Sequence, residues 1–442
     1  MRVNRRQPQP SNPEPDDRFD LEFLDQVFYH PLTGRFLVPV ENDEWIELGE
    51  GSTRRELIRR GFSGRYSDED SMSVVEGSLN AIQRLNHVSW HGALAGYSKG
   101  FRKMGPSRIL ITSSPSFVPP ISGCWVMLEG LLQRSLGPDQ LPYFYSWIRV
   151  AMEMYRRGKR QPGQALVLAG PPNSGKSLIQ NFITLLFGGR EADPFVHMTG
   201  ETNFNGDLLA AEHLKIEDAA ESNDIRSRRR IGAMIKAICV NENFRCERKF
   251  QEPLTLQPLW RLTISLNDDP ERLQVLPPLD DDIADKMMLF LVERHGMPIP
   301  TGTPDEREAF WGVLEVEAPA FVHWLLNEWN IPPELHCPRY GVTHYHHPAL
   351  VQQLRRTAPE EQLLEVIDSV LFSNGTKRWG GWAVTLEGKL TDPQAKCCQQ
   401  AKKILTHRTS CGTYLGRLEK RVPERISSNT LNGRTQWIIL AP

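Results

Sequence analysis

Apolar and polar positions along the chain fall into stretches of different period. From about Arg18 to Pro120, short apolar runs alternate with turns, and helical spacing predicts helices over Arg54–Gly61 and Met72–Asn86. Pro115, Pro119 and Pro120 close that region. Phe144, Trp147, Ile148, Ala151 and Tyr155 then recur three or four residues apart, predicting a helix over Tyr143–Arg157 and, after it, a basic linker over Arg156–Gly163. The pattern next changes to short buried-strand candidates, the apolar run Ala165–Ala169 and the segments Leu214–Ile216 and Leu262–Leu266, with the helical Ser177–Phe187 after the Gly-rich loop that follows the first. Buried strands alternating with helices predict an α/β core built on a parallel sheet. Prolines cluster from Pro298 to Pro304, Pro319 is placed to open a helix over Ala320–Trp329, and Pro332, Pro333 and Pro338 break the chain again. No repeat of fixed period is present. The predicted division is a polar, Pro-rich tail (1–18), an N-terminal domain of mixed α/β or helical type with its helical linker (19–160), the α/β domain (161–335) and a small C-terminal domain (345–442).

The strand–loop–helix at the start of the α/β domain carries the clearest chemistry. Gly170-Pro171-Pro172-Asn173-Ser174-Gly175-Lys176-Ser177 matches GxxxxGK[ST] in full. Glycines let backbone N–H groups turn inward around a β-phosphate, and the following helix aims its positive end at it. Lys176 is the residue to neutralise the β- and γ-phosphates, and the Ser177 hydroxyl the one to ligate Mg²⁺, so ATP and Mg²⁺ are the expected cofactors. Forty-one residues beyond Lys176, the run Leu214–Ile216 ends in Glu217-Asp218. Acids at the carboxyl end of such a strand can hold the metal and activate water; Glu217 is assigned the first role and Asp218 the second, with exchange of the two left open. Fifty residues further on, the strand Arg261–Asn267 ends in an amide able to bond both γ-phosphate and lytic water.

Composition narrows the class. At 442 residues the chain has room for several domains, and 40% hydrophobic with 24% charged residues is ordinary for a folded protein. No apolar run reaches membrane-spanning length, the N-terminus lacks a signal-peptide core, and seven cysteines without CxxC argue against a disulfide framework. A cytoplasmic setting is expected. His336, Cys337, His344, His346 and His347 match no standard metal spacing, and Trp90, Trp125, Trp147, Trp379 and Trp382 are assigned to cores.

The phosphate loop with its Pro-Pro pair, the paired acids and the Asn-terminated strand followed by Pro270 resemble, in order and spacing, the superfamily 3 helicases. These are AAA+-like hexameric motors of papillomaviruses, parvoviruses, poxvirus-type primase-helicases and many phages and plasmids. The resemblance covers roughly residues 160–300; no primase motif is visible. It implies an ATP-driven DNA helicase or translocase, assembled as a homo-oligomeric ring, a hexamer in the family's manner, replicating a phage, plasmid or other mobile element in a prokaryotic host. It further implies that Lys236 and a hairpin around Asn243–Pro253, with Arg248 and Lys249, face a single strand in the central channel. Where the family carries an arginine finger, this chain has Lys286; Arg272 and the cluster Arg226, Arg228, Arg229 and Arg230 are the alternatives. A regulatory or antiviral-defence switch that binds nucleic acid without unwinding it, and an initiator with a vestigial nucleotide site, are the rival readings.

The overall net charge is −2, yet residues 375–435 hold twelve Lys/Arg against four acids, which predicts a phosphate-backbone surface there. Ser410–Val422 reads as a helix with Arg417, Lys420 and Arg421 on its outer face, and Asn432-Gly433 as a hairpin turn carrying Arg434. Helix then hairpin, both basic, is the outline of a winged helix for duplex DNA.

Overall fold

The computed structural model describes residues 21–40, 44–66, 72–217, 225–249, 252–356, 358–431 and 433–442. The expected tail 1–18 and the predicted site residue Asp218 lie outside them. No described helix is long and apolar enough to cross a membrane.

The N-terminal block contains α1 (Leu21–Asp25), β1 (Phe28–His30), β2 (Arg35–Val40), β3 (Glu44–Leu48), α2 (Glu50–Arg59), α3 (Val74–Leu85), β4 (Trp90–Gly92), β5 (Gly100–Met104) and β6 (Ser107–Ile111). Both predicted helices form, and Ser73 starts α3 by accepting a hydrogen bond from the Glu76 N–H. The antiparallel sheet β1-β2-β3 closes a small core of its own around Val27, Phe36, Leu57 and Leu79. The second sheet, β4-β6-β5, does not: Trp90, Ile109 and Ile111 pack into the main core of the molecule. The helix predicted over Tyr143–Arg157 is the second half of α4 (Val126–Arg157), which kinks at Gly137 (φ 68°), just before Pro138. Glycine takes the left-handed conformation that a side chain would resist, and Pro138 restarts the helix where a missing N–H costs nothing.

The central domain runs β7 (Ala165–Gly170), α5 (Lys176–Leu186), β8 (Glu191–Ala192), α6 (Phe195–Thr199), β9 (His213–Glu217), α7 (Ile225–Val240), β10 (Phe244–Cys246), β11 (Leu254–Leu256), β12 (Arg261–Asn267), α8 (Pro270–Leu273), β13 (Met287–Leu291) and α9 (Pro304–Asn327). The predicted parallel sheet is present, in the order β13-β7-β12-β9-β8, with β10 and β11 as a separate hairpin. Helix α9 departs from expectation. It begins at Pro304 behind a capping box of Thr303 and Glu306, and Pro319 lies inside it rather than opening it.

After the short hairpin β14 (His336–Cys337) and β15 (Gly341–Val342), His346 bridges to Leu289 of β13, and Leu350 and Leu354 of α10 (Pro348–Arg356) join the main core. Residues 345–356 therefore pack with the central domain, although the sequence pattern placed the start of the C-terminal unit at 345. A distinct core begins at Leu363 in α11 (Pro359–Ile367) and continues through β16 (Arg378–Trp382), α12 (Ala383–Leu390), α13 (Cys398–Ile404), α14 (Ser410–Arg421), β17 (Ile426–Leu431) and β18 (Arg434–Leu440). These helices cover one antiparallel sheet of order β16-β18-β17.

Candidate nucleotide site and nucleic-acid surfaces

β7 delivers the chain to the phosphate loop from a position flanked on both sides by parallel strands. Gly170 pairs in register with Asn267 at the end of β12, and Ser265 pairs with Glu217 at the end of β9. Loop, amide and carboxylate thus stand along the carboxyl ends of three adjacent strands, where open α/β sheets place their ligands. Only glycine fits at 170, since a Cβ there would lie 2.2 Å from the Val292 carbonyl oxygen. Asn173 and Gly175 take left-handed conformations (φ 60° and 91°), and the chain then enters α5 at Lys176.

The Lys176 ammonium is largely buried and turned back on the loop. It donates to the Gly170 and Pro171 carbonyls, each at 2.8 Å, and to Asn267 Oδ1 at 3.1 Å. Two residues 91 positions apart in the sequence are therefore in direct contact. Pro172, Asn173 and Ser177 are exposed, while the Ser174 hydroxyl is buried with no hydrogen-bond partner. Glu217 is exposed at the end of β9, 3.8 Å from the Lys215 ammonium, which Glu191 and Asn181 hold at 2.8 and 2.9 Å.

A buried polar chain beneath the loop escaped sequence reading. Gln180 of α5 donates to the Ile216 carbonyl and to Thr263 Oγ1, and His213 is hydrogen-bonded to Thr263 through Nε2 and to Thr184 through Nδ1. It ties the phosphate-loop helix to the strands that end in Glu217 and Asn267. Burial, reinforced by Lys215, pushes the His213 pKa down to about 3, so its ring is neutral. The available signal was Thr263, a polar residue inside a strand otherwise expected to be buried and apolar.

Other predicted site residues are held elsewhere. Lys286 is buried against Asp285 at 2.6 Å, and Asp285 also accepts from the Tyr340 hydroxyl and lies 3.7 Å from Arg339. Burial raises the Asp285 carboxyl, but these three partners outweigh it and hold it below its ordinary value. Lys286 is thus turned inward on its own chain instead of outward as a finger. Of the alternatives, Arg228 is buried and donates to the Leu276 carbonyl, Arg230 lies over Gly200, Arg229 is exposed, Arg272 is half-buried in α8, and the Arg226 side chain lies outside the described set.

The expected hairpin exists as β10 and β11, but Arg248 does not project from it. Its guanidinium lies 4.8 Å over the Trp90 ring and donates to the His91 carbonyl, clamping the hairpin to β4. Lys249 is exposed, and Lys236 on α7 pairs with Asp282.

In the C-terminal unit, Arg417 pairs with Glu360 at 3.4 Å, Arg421 with Glu361, and Arg425 with Asp368 at 2.6 Å. All three acids lie in or beside α11, outside the stretch whose charge balance marked it as basic. Arg417 and Arg421 are therefore not the open phosphate contacts expected of them. Lys420 and Arg434 are exposed, and so is Trp382, 46% accessible where a core position was expected.

No protein-family model matches the sequence, and no curated protein matches it. Among solved structures, the apo NrS-1 C-terminal region (305–718) matches at TM-score 0.53 and 11% identity, over 98% of this chain and 100% of that one. The A form of the same region gives TM-score 0.53 and 11% identity over 96% and 98%. JCV helicase gives only 0.27 at 13% identity over 55% and 67%, a likeness too slight to bear on fold or function. Across almost its whole length the chain is thus similar in fold to the NrS-1 C-terminal region.

Proposed function

We propose that the protein is an ATP-driven nucleic-acid motor of the superfamily 3, AAA+-like kind, working as a DNA helicase or translocase in the replication of a mobile element. The observation that carries this reading is the contact of Lys176 Nζ with Asn267 Oδ1, 3.1 Å apart at the carboxyl ends of neighbouring parallel strands. The residues fit a nucleoside triphosphate with Mg²⁺: a glycine-turned loop opens a helix, its lysine rests on carbonyl oxygens that an anion can replace, and the Ser174 hydroxyl has no other partner. Lys176 would hold the phosphates, Ser177 and Glu217 the metal, with Asp218 as water activator or in exchange with Glu217. Bound Mg²⁺ supplies charge neutralisation at the transferring phosphoryl group. Asn267 would orient the lytic water, and the Gln180–Thr263 bond keeps the strand ends in register beneath it.

In this reading the C-terminal helices and their three-stranded sheet form a winged helix that recruits duplex DNA, and subunits assemble as a ring. A second reading, a nucleotide-dependent switch that does not unwind, is favoured by one observation: Lys286, Arg248, Arg417 and Arg421 are all held by contacts within the chain. Duplexes with 3′ or 5′ single-stranded tails, incubated with the protein, ATP and Mg²⁺, separate the two. Strand release from one tail polarity supports the motor; hydrolysis without release from any substrate supports the switch.

A further inference from the structure

We infer that the helix presenting basic side chains to duplex DNA in the C-terminal unit is α13, not α14. The inference rests on the nucleic-acid reading proposed above and names the surface that carries it. Between Asp392 and Glu419 the chain has no acidic residue, and this stretch contains the whole of α13 and the turn into α14. In α13, Cys398, Ala401 and Ile404 are buried, the latter two in the C-terminal core. Their spacing leaves Gln399, Gln400, Lys402 and Lys403 on the outer side, and all four are exposed, as are the flanking Lys396 and Arg408.

Ion pairing separates the two helices. Among the described residues, Lys396, Lys402, Lys403 and Arg408 form no ion pair, whereas α14 gives up Arg417 and Arg421 to Glu360 and Glu361 of α11. A phosphate approaching Arg417 or Arg421 of α14 must displace a carboxylate and then remain beside it, which leaves only Lys420 open on that helix. A phosphate approaching α13 displaces only water and counterions, which is the source of salt-dependent affinity. The side-chain types agree with this contrast. Lysines neutralise the backbone, and adjacent glutamines can both donate and accept at base edges in a groove.

The test is binding of the full chain to a blunt DNA duplex, measured by fluorescence anisotropy across a salt series. Lys402→Ala with Lys403→Ala is compared with Arg417→Gln with Arg421→Gln. Each pair removes two positive charges, so a difference between them reports location and not net charge. Both lysines are exposed, and alanine suits a helix, so folding is preserved. The lysine variant is expected to weaken binding and reduce the log–log salt slope by up to about two, while the arginine variant leaves the slope near that of the parent protein. An unchanged slope for the lysine variant, or the larger loss in the arginine variant, overturns the assignment to α13 while leaving DNA binding in place. If the parent protein shows no salt-dependent duplex binding, the nucleic-acid reading of this unit falls, and the assignment with it.

Discussion

Replacing Glu212 tests whether the N-terminal block is structurally part of the central α/β domain. Glu212 immediately precedes β9 and is fully buried. Its Oε1 accepts from the Gly96 N–H at 2.5 Å and from Arg190 Nη2, and its Oε2 accepts from Arg190 Nε at 2.9 Å. Arg190 reaches on to Ser113, so one carboxylate joins the central sheet to two N-terminal segments. Glu212→Ala leaves a mostly buried guanidinium without its counter-charge and the Gly96 N–H without an acceptor. Removing one member of a buried ion pair costs about 3–5 kcal/mol. Glu212→Gln keeps the shape and an acceptor oxygen but loses the charge, for a smaller cost of about 1–3 kcal/mol. Urea unfolding followed by fluorescence and circular dichroism should order the midpoints as parent, Gln, Ala. A chain of this size need not unfold in one step. Ala within about 1 kcal/mol of the parent, a difference small beside the burial penalty, or a separate transition of residues 72–125 whose midpoint does not move, would show that Glu212 does not join the two parts.

Two further outcomes follow from buried charges. His213 is neutral in the folded protein with its pKa near 3 and regains its ordinary value near 6.5 on unfolding, so the unfolded chain binds the extra proton between those limits. Stability is therefore lost as pH falls below about 6.5, by about 2 kcal/mol at pH 5 from this group, and His213→Gln should flatten that limb in acid-titrated urea unfolding. Lys286 should not act on a neighbouring subunit, because it is committed to Asp285 of its own chain. In assemblies mixing parent and Lys286→Met subunits, ATP hydrolysis per parent subunit should stay constant; a steeper loss would place Lys286 in the neighbour's site.

What could be read from the sequence was local in origin. The phosphate loop, Glu217 and Asn267 each follow a short strand-forming segment, and the parallel sheet aligns those ends, so three contiguous signatures converge without knowledge of strand order. Pro319 suggests a helix start, but α9 begins fifteen residues earlier, where Thr303, Pro304 and Glu306 spell a capping box. The Lys/Arg excess of residues 375–435 is real, yet Glu360, Glu361 and Asp368, in or beside α11, pair with Arg417, Arg421 and Arg425, and pairing between separate segments is invisible to a count along the chain. Arg248 was expected to face solvent for the same reason: nothing near it in sequence announces that Trp90 and His91 meet it from a different sheet.

If the proposed function holds, Lys176 and Asn267 belong to a working nucleotide site that drives action on DNA. Steady-state ATP hydrolysis with Mg²⁺, measured with and without single-stranded DNA for the parent protein and for Lys176→Ala, tests it most directly. Hydrolysis that DNA accelerates is expected in the parent, and none above background in the variant, with circular dichroism unchanged because Lys176 contacts the loop and Asn267 and not the apolar core. Hydrolysis persisting in Lys176→Ala at close to the parent rate, or absent from the parent under every condition, would contradict it.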